Sequence, residues 1–265
     1  MKRKSGLTRR DFIRTGLAAG VGAMVGPYPG RQGFAASRDR LMIYNSSVTD
    51  TLNPYDHSSS PIYGMWQHVM EPLVEYDYRK KEYVGILADS WEYQGKRWVF
   101  RLKKGIKFHN GAPLTSKDVV FSINRIKTDK MSLQGENFKD VAEMQAPDDQ
   151  TVIFIMKQPN AIFLDRLINR FILSKAAADK YGDQMDQNAV GTGAYKFVSF
   201  QRGGNFVVTR NDDYWGSKPQ IKEIIFRKVT EEAARVAALE SGVTPIRKAL
   251  EKPPMKSEPP VKARL

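Results

Sequence analysis

Between Ser90 and Ile126 the hydrophobic pattern switches from strand-like alternation to helical spacing, and this switch restricts the fold more than any other stretch. Trp91 and Tyr93 alternate with polar residues, Gln94-Gly95-Lys96 supplies a turn, and Trp98, Phe100 and Leu102 fall on one face of a returning strand. Lys103-Lys104-Gly105 makes another turn into Ile106 and Phe108. Pro113 to Asp118 then predicts a helix start, with Thr115 as cap and Asp118 three residues on as the capping-box acid, leading into Val119, Val120, Ile123 and Ile126.

The rest of the chain repeats this mixture. Leu41 to Tyr44 is an apolar run suited to a buried strand, followed by a polar loop through Leu52-Asn53-Pro54; Ile62 to Leu73 has helical spacing. Thr151 to Met156 is apolar on both faces, as a central strand requires, and Ala161 to Asn169 predicts a helix. Tyr195–Phe200 and Phe206–Arg210 flank Arg202-Gly203-Gly204-Asn205 as a long hairpin. Ile221 to Val229 is a further strand feeding an alanine-rich helix, Glu231 to Ser241. Strands and hairpins interspersed with helices, without an internal repeat, predict a mixed α and β fold of the α/β or α+β kind rather than a bundle or sandwich. The 265 residues suffice for one large domain or two ordinary ones.

The two ends read differently. Met1 to Ala36 has a basic start, a short Gly/Ala-rich apolar stretch from Leu17 to Val25, and small residues at Ala35 and Ala36, the pattern of a cleaved export signal. Within it, Arg9 and Arg10, then Phe12-Ile13-Arg14, resemble the twin-arginine consensus, which implies the twin-arginine export machinery as partner and the periplasm as destination. Val243 to Leu265 carries five prolines and almost no large apolar side chains, so it is expected to be a disordered tail.

These ends explain the charge. A formal +13 suggests nucleic acid or an anionic membrane surface. Residues 1–36, however, hold seven basic side chains and one acid, and residues 243–265 hold six and two. The stretch 37–242 keeps only +3, so a nucleic-acid partner is not expected.

Catalytic chemistry finds little support. Without cysteine there are no disulfides, thiol nucleophiles or Cys-based metal sites, and His57, His68 and His109 lack the spacing of a zinc hydrolase. His109 is expected to cap or pack the hairpin end. Gly191-Thr192-Gly193 lacks the third glycine and following helix of a phosphate loop and reads as a tight turn into a strand. No Gly-x-Ser-x-Gly elbow is present. Most of Tyr63, Trp66, Trp91, Trp98, Tyr214 and Trp215 are expected in core and hairpin packing rather than stacked on a ligand.

Three collinear blocks, Leu87 to Glu92, Trp98 to Gly111 and Leu114 to Ser122, resemble the signature of the peptide- and nickel-binding solute-binding proteins, family 5, of ABC importers. Leu52-Asn53-Pro54, Glu71 to Val74, Gly191 to Tyr195, Arg210 to Gly216 and Ala233 to Gly242 agree with it. The resemblance implies the first lobe of a type II periplasmic-binding-protein fold over residues 37–242, with no enzymatic activity and no cofactor or metal. It also implies a monomer that takes an oligopeptide, or a nickel chelate, sugar or other small solute, and docks on permease subunits in the membrane. Family members are roughly twice as long and continue after Gly242 into a second lobe, whereas this sequence becomes proline-rich, so a truncated or frameshifted form with weakened ligand binding is expected, the alternative being a non-functional gene fragment. By position, the resemblance places ligand contacts at Ser46 and Ser47, around Tyr63, near Met131 after the capped helix, and at Asn169 and Arg170. The Arg170 guanidinium is suited to fork onto a carboxylate, although a solvated surface arginine fits the sequence as well.

Overall fold

The computed structural model describes residues 39–56, 59–130, 132–182 and 188–240. The export signal with Arg9, Arg10 and Phe12, the proline-rich tail, and Met131 lie outside the described residues.

Two four-stranded sheets and a two-stranded hairpin carry the described fold. The first sheet has the order β1-β10-β9-β8, from β1 (Arg40–Asn45), β10 (Glu223–Lys228), β9 (Asn205–Arg210) and β8 (Tyr195–Phe200). β1 runs parallel to β10, Met42 facing Ile225, while the other pairs are antiparallel. The second sheet is antiparallel in the order β4-β5-β7-β6, from β4 (Ala88–Gln94), β5 (Arg97–Leu102), β7 (Thr151–Met156) and β6 (Val141–Asp148). β2 (Val74–Asp77) and β3 (Glu82–Gly85) pair separately. The helices are α1 (Ser60–Trp66), α2 (Ser116–Thr128), α3 (Phe163–Leu167), α4 (Lys175–Tyr181) and α5 (Glu232–Glu240), with a 3-10 turn at Gly135–Phe138.

The period switch materialises as read. Gly95 takes a left-handed φ of +63° in the β4–β5 turn, Trp91 faces Phe100 and Tyr93 faces Trp98, and Trp98, Phe100 and Leu102 are buried on one side. The Asp118 carboxylate accepts the N–H and the O–H of Thr115, both at 2.8 Å, which fixes the start of α2. Its other oxygen accepts Lys175 N–H at 2.8 Å, so the capping acid also tethers α4, whose own cap is Ser174. β7 lies inside the second sheet with nearly every residue buried.

Three expectations need correction. Helix α1 stops at Trp66 rather than reaching Leu73, because the His68 and Val69 carbonyls accept the Tyr195 and Gly193 N–H groups, and Pro72 cannot continue a helix. Ala161 to Asn169 contributes only the short α3. Leu41 to Tyr44 is a strand, but it sits half-exposed at the edge of its sheet among the described residues.

A single apolar core runs through these elements except α5, which buries no residue, with Trp66, Phe100, Phe138, Phe154, Phe163, Phe171, Phe206 and Phe226 among its largest fully buried side chains. The first sheet is locked to the rest by a polar knot. The Glu71 carboxylate accepts Thr192 Oγ1–H at 2.8 Å, Tyr214 O–H at 2.6 Å and Trp215 Nε1–H at 3.0 Å. Gly191 and Gly193 pass so close to the segment 68–70 that a Cβ on either would collide with the Val69 or His68 carbonyl, which is why small residues are needed there. Among the described residues no helix is long and apolar enough to cross a membrane.

Candidate functional site

Tyr63 and Arg170, more than a hundred residues apart, both bond a side chain that the sequence did not single out, Gln134, and Asn169 joins them through Arg170. Its Nε2 donates to the Tyr63 hydroxyl oxygen at 2.7 Å, while its Oε1 accepts Arg170 Nη2–H at 2.8 Å and Asn137 Nδ2–H at 2.9 Å. Both ends of the amide are engaged, which fixes its orientation. Gln134 is almost fully buried, so the relay is a built feature rather than a chance surface contact.

Each member is positioned by local structure. Ser59 caps α1, and Tyr63 lies one turn on, with its ring 6.4 Å from that of Phe171. Tyr55, buried beneath, donates its O–H to the Phe171 carbonyl at 2.6 Å and holds the segment after α3 in place. Asn169 takes a φ of +57°, a conformation asparagine tolerates better than most residues, and its Oδ1 accepts Gln67 Nε2–H at 2.7 Å. This turn presents Arg170, whose Nη1 donates to the Asn169 carbonyl at 3.4 Å. The neighbouring Arg166 reaches Asn137 Oδ1 at 3.1 Å.

The electrostatics favour an anion. Burial pulls the Arg170 guanidinium below its ordinary pKa, with Arg166 adding repulsion, yet an arginine at this depth remains a cation. Among the described residues no carboxylate stands within ion-pair distance of Arg166 or Arg170. The Arg170 Nε atom is buried without a hydrogen-bond partner. Arg170 is therefore no freely solvated surface arginine but a half-buried cation with donor capacity to spare.

The remaining predicted residues divide. Ser47 joins the same end of α1, its Oγ lying 3.3 Å from that of Ser59. Ser46 is exposed at the bend after β1. His57 lies outside the described residues, and the two described histidines serve packing: His109 Nε2–H donates to the Gly193 carbonyl at 2.9 Å, and its Nδ1 accepts Gly191 N–H at 3.3 Å. Burial drives its pKa down to about 4, so the ring is neutral. His68 stacks edge-on against Phe226 and bonds the Gly64 carbonyl. Among the described residues no cluster of three His, Asp or Glu is placed to hold a metal ion.

Comparison with known proteins decides the lineage. Residues 82–258 match the family described as bacterial extracellular solute-binding proteins, family 5 Middle. The chain belongs to family 5 of the bacterial extracellular solute-binding proteins. The matched stretch begins at β3 and runs past Gly242 into the segment expected from the sequence to be a tail. Among curated relatives of this family 5 chain, a putative ABC transporter peptide-binding protein of Brucella ovis is 34% identical over 65% of the chain and 34% of the relative. The dipeptide-binding protein of Escherichia coli is 32% identical over 75% of the chain and 41% of the relative. The solved DppA periplasmic binding protein of Helicobacter pylori, in complex with the peptide STSA, superimposes with a TM-score of 0.69 at 25% identity over 77% of this chain and 45% of that one. The family 5 chain thus spans less than half the length of these relatives, and its fold is that of the type II periplasmic binding proteins.

Proposed function

We propose that the chain is part of an exported, non-enzymatic solute-binding component of an ABC importer, and that its solute is an oligopeptide. The observation that carries this reading is the Tyr63–Gln134–Arg170 relay. A half-buried guanidinium, held by neutral amides rather than by a carboxylate and backed by Arg166, suits the terminal carboxylate of a peptide. Asn169, bonded to Arg170 through its carbonyl, and Ser47, at the start of α1, carry polar groups that suit main-chain amides of the same ligand. Ser46 and Met131 complete the proposed contact set from the loops after β1 and α2.

The names of the relatives support a peptide: they describe peptide- and dipeptide-binding proteins and a complex with a peptide. In the full assembly the chain would deliver its ligand to permease subunits from the periplasm, reached by the twin-arginine route. With under half of the relatives' length contributing contacts, affinity is expected to be weak, because only one wall of a ligand cleft is supplied.

The test is a pair of tripeptides of identical sequence, one with a free C-terminus and one amidated, titrated into the chain and into its Arg170→Gln variant. The reading predicts that only the free carboxylate binds and that R170Q removes the distinction. Equal binding of both peptides, or an unchanged preference in R170Q, would overturn it.

A further inference from the structure

The β2–β3 hairpin is rooted in the core through Val74, yet its tip, which holds none of the proposed ligand contacts, is the most chemically pointed surface of the described fold. The turn is Tyr78-Arg79-Lys80-Lys81, all four residues exposed. Asp77 organises it: Oδ1 accepts the N–H groups of Arg79 at 2.9 Å and Lys80 at 3.1 Å, and the Asp77 carbonyl accepts Lys81 N–H at 2.7 Å. Three consecutive cations are therefore displayed on an ordered turn. Of the acids nearby, Asp77 is committed to the turn and Glu82 lies at 3.9 Å from Lys80 in a solvated pair worth little.

Beside the cations stands an aromatic shelf. Tyr78 is 82% exposed, the most exposed of the large apolar side chains among the described residues. The Tyr76 ring stands edge-on between Tyr78 at 5.1 Å and Tyr83 at 5.2 Å. Tyr83 donates its O–H to the Asp165 carboxylate on α3, which ties the shelf to the body of the fold. Tyr78 and the three cations are exposed, so burial in the fold does not account for their place at the tip.

The combination selects a partner. Tyrosine rings favour the boundary between lipid headgroups and acyl chains, and lysine or arginine close to an anionic leaflet adds attraction that falls away within a Debye length. Single-stranded nucleic acid would call for open ring faces along a basic groove, whereas Tyr76 is occupied on both sides and the cations cluster at one tip. We infer that the tip of the β2–β3 hairpin rests on an anionic phospholipid surface, with Arg79, Lys80 and Lys81 among the headgroups and Tyr78 at the apolar boundary. This contact stands independently of the peptide reading, and its failure leaves that reading untouched.

The full chain contains no cysteine, so Glu82→Cys, which keeps the whole tip, gives one attachment point for an environment-sensitive fluorophore. Ser199→Cys on β8, in a different sheet, is the reference position. On vesicles of equal parts phosphatidylcholine and phosphatidylglycerol, the label at residue 82 should shift to the blue and the label at 199 should not. Phosphatidylcholine alone should give no shift, and high salt should reverse it. Adding Arg79→Ser, Lys80→Ser and Lys81→Ser together should weaken the apparent affinity roughly 100-fold, and Tyr78→Ser should reduce the blue shift at any given level of binding. All four substitutions are at exposed positions, and near-ultraviolet circular dichroism verifies the fold. Absence of a shift at residue 82, or a shift unaffected by the triple substitution, overturns the proposal. Equal shifts at both positions also overturn it, because the net charges of +6 on residues 1–36 and +4 on residues 243–265 would then be responsible. A response to polyglutamate but not to vesicles would replace the lipid with an acidic protein.

Discussion

Replacing Glu71 with alanine should cost about 3 kcal/mol, because one buried and two half-buried donors lose one shared acceptor. The bonds from Thr192, Tyr214 and Trp215 all end on this one carboxylate, and each is worth about 1 kcal/mol net. Values for hydrogen bonds to charged groups would give roughly twice that, but burial raises the Glu71 pKa, so holding the charge there costs some of it back. For a fold of this size the loss corresponds to a fall in Tm of about 6–12 °C. Urea unfolding followed by tryptophan fluorescence measures it directly, since Trp215 is one of the partners. Glu71→Gln keeps the shape but turns one acceptor into a donor, and should lose about 1.5 kcal/mol. The sign of its pH dependence adds a second reading. A carboxyl whose folded pKa is raised binds protons more tightly when folded, so its contribution falls as pH rises from the ordinary carboxylate range through the raised value. The advantage of the wild type over E71Q should therefore be largest at the acid end of that window. A loss below about 1 kcal/mol for E71A, with the wild-type slope of unfolding retained, would refute the claim that this knot ties the first sheet to the rest.

His109 carries the opposite pH sign: with a folded pKa of about 4, its contribution should be lost as pH falls from about 6.5 toward 4, and an H109Q variant should show a flatter stability profile across that window by circular dichroism. Asp118→Ala removes acceptors for Thr115 and Lys175 at a buried site, and should lower stability in urea by about 2 kcal/mol while fraying both helix starts in hydrogen exchange. Gly193→Ala should destabilise more than a surface Gly→Ala change, since its Cβ would stand 2.5 Å from the His68 carbonyl oxygen; a neutral melting temperature would contradict that packing.

What was legible in the sequence was whatever is encoded locally. Thr115 and Asp118 are three residues apart and meet in the structure at 2.8 Å, and the alternation of Trp98, Phe100 and Leu102 became a buried strand face. What was not legible depends on partners far away in the chain. The end of α1 at Trp66 is set by the approach of Gly193 and Tyr195, whose N–H groups take the carbonyls of residues 68 and 69. The edge position of β1 follows from pairing with β10 across 183 residues. The site shows the same division: Tyr63, Asn169 and Arg170 were placed by resemblance, whereas Gln134 sits in a polar loop whose composition resembles any surface turn. Its burial arises only when α1, the 3-10 turn and the segment after α3 converge.

The central claim is that Arg170, oriented by Gln134, receives the carboxylate of a peptide. Titrating a free-carboxylate tripeptide into isotopically labelled chain while observing the Arg170 Nε–H signal tests it most directly. The account predicts saturable binding with a Kd on the order of 1 mM, movement of that signal, and loss of the response when the peptide is amidated or Gln134 is replaced by leucine. A signal that stays in place at saturating peptide, or moves equally with the amidated peptide, would contradict it.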